Sequence, residues 1–291
     1  MHAQEVLARR FEAHRAHLRA VAYRMLGSAG DAEDAVQEAW LRLAQADTAA
    51  IENLPGWLTT VTSRICLDML RSRTARREDP LDDAGELGDT AYNSDPEHEA
   101  VLIDAVGRAM LVVLDRLGPD ERVAFVLHDM FALPFDQIAP IVGRSAPTTK
   151  KLASRSRSRV RGETPSADAG LAQRRDVVAA FLAAARSGDL GALLTVLAPD
   201  VVRTADPAAL PAGMALVVRG ADAVAKETVL LRRRSAVAAL AVINGDVGII
   251  VAPRGRLLLA LTLTVRGDQV AGYEVIAAPD RLDALDITVL P

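Results

Sequence analysis

Between Glu78 and Ala100 the chain reads EDPLDDAGELGDTAYNSDPEHEA, with nine acidic side chains and none that is basic. A segment so charged and so poor in large apolar residues buries too little surface to offset the entropy of ordering it, so it reads as a linker. The chain on either side must therefore build separate cores. Its 291 residues are half hydrophobic, which suffices for more than one core and suits about two domains. A second linker is read in ETPSADAG, residues 163–170.

The net charge of −4 hides a strong internal pattern. From Gly143 to Gly162 the sequence GRSAPTTKKLASRSRSRVRG carries seven Lys or Arg and no Asp or Glu. Local charge of this kind, rather than the overall balance, bears on nucleic-acid binding. No run of roughly 18 apolar residues occurs, and the N-terminus lacks the apolar core of a signal peptide, so a cytoplasmic protein with no membrane association is expected. The single cysteine, Cys66, excludes an internal disulfide and a cysteine-based metal cluster, and its helical context suits a buried small hydrophobe. Nothing in the sequence calls for a cofactor or a metal.

Residues 5–77 read as helices. Phe11, Leu18, Val21, Ala22 and Met25 recur at helical spacing before a stop at Gly27. In DAEDAVQEAWLRLAQAD, Asp31 is expected to cap, Asp34 to fall in the first turn, and Val36, Trp40 and Leu43 to form the apolar stripe. A third helix starts with Pro55 in its first turn and buries Leu58, Val61, Ile65 and Met69 or Leu70. In residues 101–162, Gly118-Pro119 and Leu133-Pro134 punctuate short helices.

The basic stretch, taken as a helix, splits into two faces. Thr149, Leu152, Ala153, Ser156 and Val160 share one side, and Lys150, Lys151, Arg155, Arg157, Arg159 and Arg161 occupy the rest. A short helix and Gly143 precede it, which is the plan of a helix-turn-helix. The N-terminal Ser145, Thr148 and Lys151 are then candidates for base edges, and Arg155, Arg157 and Arg159 for phosphates; Arg144 and Lys150 flank this entrance.

In this arrangement the chain resembles the bacterial extracytoplasmic-function sigma factors, which retain sigma regions 2 and 4. GSAGDAEDAVQEAWLRL resembles the region 2.2 helix, LPGWLTTVTSRICLDMLRSRTARRE resembles regions 2.3 and 2.4, and LGPDERVAFVLHDMFALPFDQIAPIVGRSAPTTKKLASRSRSRV resembles region 4. The resemblance implies all-α regions 2 (1–77) and 4 (101–162), joined by the acidic linker (78–100). It implies core RNA polymerase as partner, through the β′ clamp helices and the β flap, with promoter DNA as the second. The acidic-polar face of Asp31, Asp34, Gln37 and Glu38 suits contact with a protein rather than with DNA. Melting and reading of the minus-ten element would draw on Asn53, Leu54, Trp57, Arg64, Arg71 and Arg73, although a tryptophan beside an apolar stripe, as Trp57 is, more often belongs to the core. The linker, a polyanion, would mimic nucleic acid near the polymerase channels.

From Leu171 the pattern changes to two helices followed by β-rich segments, with Asn244-Gly245 and Gly267-Asp268 as tight turns and a helix over ADAVAKETVLLRRR. This predicts an α+β domain, residues 171–291, with a curved antiparallel sheet. FLAAARSGDLGALLTVLAPDVV, VRGADAVAKE, VINGDVGIIV and APDRLDAL resemble a SnoaL-like cone, which implies a regulatory domain contacting the sigma regions within the chain. Ala278 and Arg281 replace the Asn and Lys of a family NPDKL element, and a Gly-rich DGGGR segment is absent. Asp206, Arg219 and Tyr273 are candidate pocket groups. The alternative is a SnoaL-like enzyme or ligand sensor fused to a DNA-binding module, but all five histidines precede this domain and no acid-base pair emerges from spacing.

Overall fold

The structure is a computed structural model that describes residues 2–78, 107–161 and 169–290. The acidic linker beyond Glu78 and most of the second linker lie outside the described residues. Two compact units are present. One gathers the helices up to Glu78 with residues Leu114–Arg159; the other joins Gly107–Val113 to the chain from Val160 onward.

In the first unit, α1 (His2–Leu26), α2 (Ala29–Gln45) and α3 (Leu54–Glu78) pack on one another. Phe11, Leu18, Val21, Ala22 and Met25 are all buried, and Gly27 ends α1 at φ 73°, a conformation that disfavours a side chain. The expected cap at Asp31 is corrected. Ser28 caps α2, its hydroxyl accepting from the Asp31 N–H at 3.3 Å, so Asp31 sits in the first turn and Asp34 lies one turn further in. At the start of α3, Asn53 Oδ1 accepts from Gly56 N–H at 3.1 Å. Cys66 is buried, which pushes its thiol up to about 12, so it stays protonated and inert at neutral pH.

Four further helices follow: α4 (Arg108–Asp115), α5 (Pro119–Phe125), α6 (Phe135–Val142) and α7 (Ala146–Arg161), with a π-helical stretch, Val126–Met130, after α5. Pro119 opens α5, and Pro134 stands just before α6. Gly143 at φ 69° turns the chain between α6 and α7, donating to Ala139 C=O.

The second unit opens with α8 (Ala169–Ser187) and α9 (Leu190–Val196). Strands β1 (Leu197–Ala205), β2 (Val217–Arg219), β3 (Ala238–Ile243), β4 (Asp246–Val251), β5 (Leu259–Arg266), β6 (Gln269–Ile276) and β7 (Ile287–Thr288) form one sheet, ordered β2-β1-β6-β5-β4-β3-β7. The single long helix expected between β2 and β3 is broken at Leu231 into α10 (Ala221–Leu230) and α11 (Arg232–Ala236); α12 (Pro279–Asp283) precedes β7. The expectation of an antiparallel sheet needs one correction: β1 and β6 pair in parallel. No hairpin joins these two strands, so turn chemistry does not set their direction.

Register shifts in the β1–β6 and β5–β6 pairs add local twist and bending to the sheet. Asn244 and Gly245, both at positive φ, turn β3 into β4. Gly248 admits no side chain, since a Cβ there would lie 2.7 Å from Leu261 C=O and 2.5 Å from Ile243 Cδ1. Val178, Phe181, Leu182 and Ala185 of α8 pack with Ile249, Val251 and Leu259 of the sheet, forming the core.

Candidate nucleic-acid interface and C-terminal cavity

α7 presents two unlike faces. Thr149, Ala153, Ser156 and Val160 are buried, and Leu152 is half-buried. The buried hydroxyls are satisfied: Thr149 Oγ1 donates to Ser145 C=O at 3.0 Å, and Ser156 Oγ lies 3.0 Å from Leu152 C=O and 3.1 Å from Glu121 C=O. Arg144, Ser145, Thr148, Lys150, Lys151, Arg155 and Arg159 are exposed, with Arg157 half-buried. Ser145 Oγ accepts from Thr148 N–H at 3.4 Å and lies 2.9 Å from its hydroxyl, so it ties down the start of the helix.

The cations of this face fall into two sets that the sequence does not distinguish. Arg157 lies 2.8 Å from Asp129, Arg159 lies 2.6 Å from Glu121, and Arg144 lies 3.4 Å from Asp120. Lys150, Lys151 and Arg155 form no ion pair among the described residues. The acidic partners, on α5 and the π-helical stretch, were missed because a charge run shows its own sign but not which distant residue folds back on it.

The α3 residues are distributed unevenly. Leu54 is buried, and Trp57 is half-buried against the Phe11–Leu58 cluster. Arg64 is exposed and reaches Pro140 C=O at 3.4 Å. Arg71 pairs with Asp120 at 2.7 Å and donates to Val142 C=O at 3.4 Å, so one carboxylate holds both Arg71 and Arg144. Arg73 is bound to Asp31 at 2.6 Å and to Leu26 C=O at 3.2 Å.

On α2, Asp34 and Gln37 are exposed, whereas Glu38 pairs with Arg42 at 3.0 Å. Gln37 borders a groove lined by Phe11, Arg15, Val36 and Trp40, with the Phe11 and Trp40 rings 5.2 Å apart. Trp40, on the apolar stripe, is half-buried: it packs against the core cluster and lines this groove with its remaining face.

The second unit holds a cavity of about 80 Å³. Of the three candidate pocket groups, Tyr273 lines it. Arg219 lies exposed on β2, outside the cavity wall. Asp206 is used elsewhere, accepting from Ala277 and Ala278 N–H at 3.0 Å each and from Arg281 at 2.6 Å. Groups missed from sequence are Arg203 and Glu227, an ion pair in the wall in which Arg203 is 1% exposed. A charged residue at an inward position of an apolar strand was the available clue.

Asp206 makes the acid stability of this unit testable. Burial alone would push its carboxyl up, but the two N–H donors and Arg281 outweigh that and hold it below the ordinary carboxylate value. A lowered folded value stabilises the unit above about pH 4, and this contribution is lost as pH falls through the folded value. Asp206→Asn is therefore expected to flatten the acid limb of melts monitored by circular dichroism between about pH 6 and 2. An unchanged acid limb would refute this role.

No helix of the described residues is long and apolar enough to cross a membrane, and no metal-ligating cluster of His, Cys, Asp or Glu occurs among them. Residues 10–76 match the Sigma-70 region 2 family, and residues 107–160 match Sigma-70, region 4. The probable ECF RNA polymerase sigma factor SigI of Mycobacterium tuberculosis (strain CDC 1551 / Oshkosh) is 40% identical over 280 residues, 94% of each chain. The ECF RNA polymerase sigma factor SigJ of Mycobacterium tuberculosis (strain ATCC 25618 / H37Rv) is 39% identical over 289 residues, 93% of this chain and 91% of that one. The crystal structure of Mycobacterium tuberculosis SigJ aligns over 95% of this chain and 98% of its own at 35% identity, with a TM-score of 0.46. The helical regions in their expected order, the α+β unit behind them and relatives similar along nearly their whole length lead to one assignment: the chain belongs to the ECF RNA polymerase sigma factors, and it is not itself an enzyme.

Proposed function

We propose that this sigma factor binds core RNA polymerase through the exposed face of α2, reads and opens the minus-ten element through α3, and reads the minus-thirty-five element through α7. The observation that carries the reading is the two-faced α7, packed by small hydroxyl and apolar residues on one side and cationic on the other. Base contacts fall to Ser145, Thr148 and Lys151 at its N-terminal end, and phosphate contacts to the cations around and beyond them. Asn53, Trp57, Arg64, Arg71 and Arg73 serve the minus-ten element, whereas Leu54, buried in the helical core, supports them from within. Asp34 and Gln37, exposed and outside any ion pair among the described residues, are the stronger candidates of the α2 set for the β′ clamp helices, and the β flap is the partner of region 4. Arg71 and Arg144 must exchange Asp120 for phosphate when DNA binds.

The C-terminal unit tunes this activity in cis. The acidic linker, residues 78–100, is read as a mimic of nucleic acid in the polymerase channels.

Run-off transcription with purified core polymerase and the full-length chain tests the reading. A promoter-specific transcript is expected, and Lys151→Ala is expected to change the ranking of promoters rather than scale all of them alike. No transcript from any genomic promoter would overturn the reading, and an unchanged ranking would remove Lys151 from base recognition. Deleting residues 171–291 is expected to change promoter output; unchanged core affinity and transcription would remove the cis regulation.

A further inference from the structure

Within the first unit, the helices that carry the two proposed reading surfaces are packed on one another. α3 lies against α5 and α6, and α1 lies against the π-helical stretch. Arg64, Leu67 and Arg71 follow one another at three and four residues, so they share one stripe of α3. Both ends of that stripe are held by α6: Arg64 donates to Pro140 C=O and Arg71 to Val142 C=O, each at 3.4 Å. Leu67, between them, is 1% exposed. On α1, His17 meets the Phe131 ring edge-on with centroids 5.4 Å apart, and the Arg24 guanidinium lies 5.0 Å from the centre of the same ring.

One carboxylate joins the two surfaces. Asp120, at the start of α5, holds Arg71 of α3 at 2.7 Å through one oxygen and Arg144, just before α7, at 3.4 Å through the other. The minus-ten and minus-thirty-five elements lie about 25 base pairs apart, as their names state, which is about 85 Å along the duplex. That length is far below the persistence length of about 150 base pairs, so gentle bending does not bring the elements together. Arg71 and Arg144 cannot stand on two such elements and on one carboxylate at once. The packed arrangement is therefore not the one that reads a promoter.

We propose, resting on the assignment of α3 and α7 to the two elements, that this packing is an autoinhibited closed state. Asp120 is its latch and Phe131 its peg, and both elements are engaged only after the two sets of helices part. Exposure suits the latch to release: the Arg71 and Arg144 side chains are 48% and 56% exposed, and ion pairs so open to water are weak. Promoter phosphates offer the same guanidiniums an equivalent partner. Asp120 thus biases the equilibrium without locking it.

Resonance energy transfer within the full-length chain tests this, with dyes on Ala13→Cys of α1 and Gln137→Cys of α6, both at exposed positions. Cys66 is buried and stays unlabelled. High transfer is expected in the free chain, and its loss in the complex with core polymerase and promoter DNA. Asp120→Asn is expected to lower transfer in the free chain. It should also reduce, about threefold to tenfold, the concentration of chain that half-saturates core and promoter DNA, because a larger open fraction raises apparent affinity. Phe131→Ala, which changes no charge, is expected to move both readouts the same way, with circular dichroism confirming the fold of each variant. Low transfer in the free wild-type chain overturns the closed state even where promoter-specific transcription upholds the assignment of α3 and α7. Tighter promoter binding by Asp120→Asn with unchanged transfer in the free chain means that the carboxylate merely repels DNA, and overturns the latch. Absence of any promoter complex, by contrast, overturns the assignment on which the closed state rests.

Discussion

Glu227→Ala is expected to destabilise the C-terminal unit by about 3–5 kcal/mol, the cost of leaving a buried charge without its partner. Arg203 is 1% exposed, and with Glu227 gone its guanidinium keeps the Ala215 carbonyl, 2.9 Å away, but no counter-ion. Against a total stability on the order of 5–15 kcal/mol for a domain, the loss is large. The double variant Arg203→Met/Glu227→Leu is expected to recover most of it, because apolar groups of similar volume need no solvation. Both tryptophans, Trp40 and Trp57, lie in the first unit, so indole fluorescence does not report this transition. Urea unfolding followed by circular dichroism, with hydrogen exchange read at β1 and α10, does. A cost below about 1 kcal/mol for Glu227→Ala would mean that water entering the cavity hydrates Arg203.

The ion pair also marks where sequence reasoning runs out. Local periodicity carried α1, α2 and α3, since Phe11, Leu18, Val36, Leu43 and Leu58 recur at helical spacing and are buried. It also carried the two faces of α7, because the hydroxyls of Thr149 and Ser156 can be satisfied within their own helix and need no distant partner. What was illegible is set by pairing through space. The cap of α2 went to Ser28, three residues before Asp31, and β1 found β6 across an interval that contains four other strands. Asp206 was a candidate pocket group, yet the two backbone N–H groups that claim it belong to residues about seventy positions later. Arg157 and Arg159 looked equivalent to Arg155 until Asp129 and Glu121 folded against them.

That last distinction has a measurable consequence at the promoter. Replacing Lys150, Lys151 and Arg155 together by Ala removes three charges that have no ion-pair partner among the described residues. If each meets a phosphate, log K against log salt should lose about 2–3 units of slope, and promoter affinity at about 0.15 M salt should fall about a hundredfold. Arg157→Ala and Arg159→Ala each remove a cation already compensated at 2.8 and 2.6 Å. Binding DNA with those side chains exchanges one ion pair for another, so each single loss should reduce the slope by well under one unit. Fluorescence anisotropy of holoenzyme on promoter DNA between about 50 and 200 mM salt separates the two sets. Losses from Arg157→Ala or Arg159→Ala as large per charge as those of the triple variant would mean that DNA wins these arginines from Asp129 and Glu121 without cost. An unchanged slope in the triple variant would mean that the exposed face of α7 meets no phosphate.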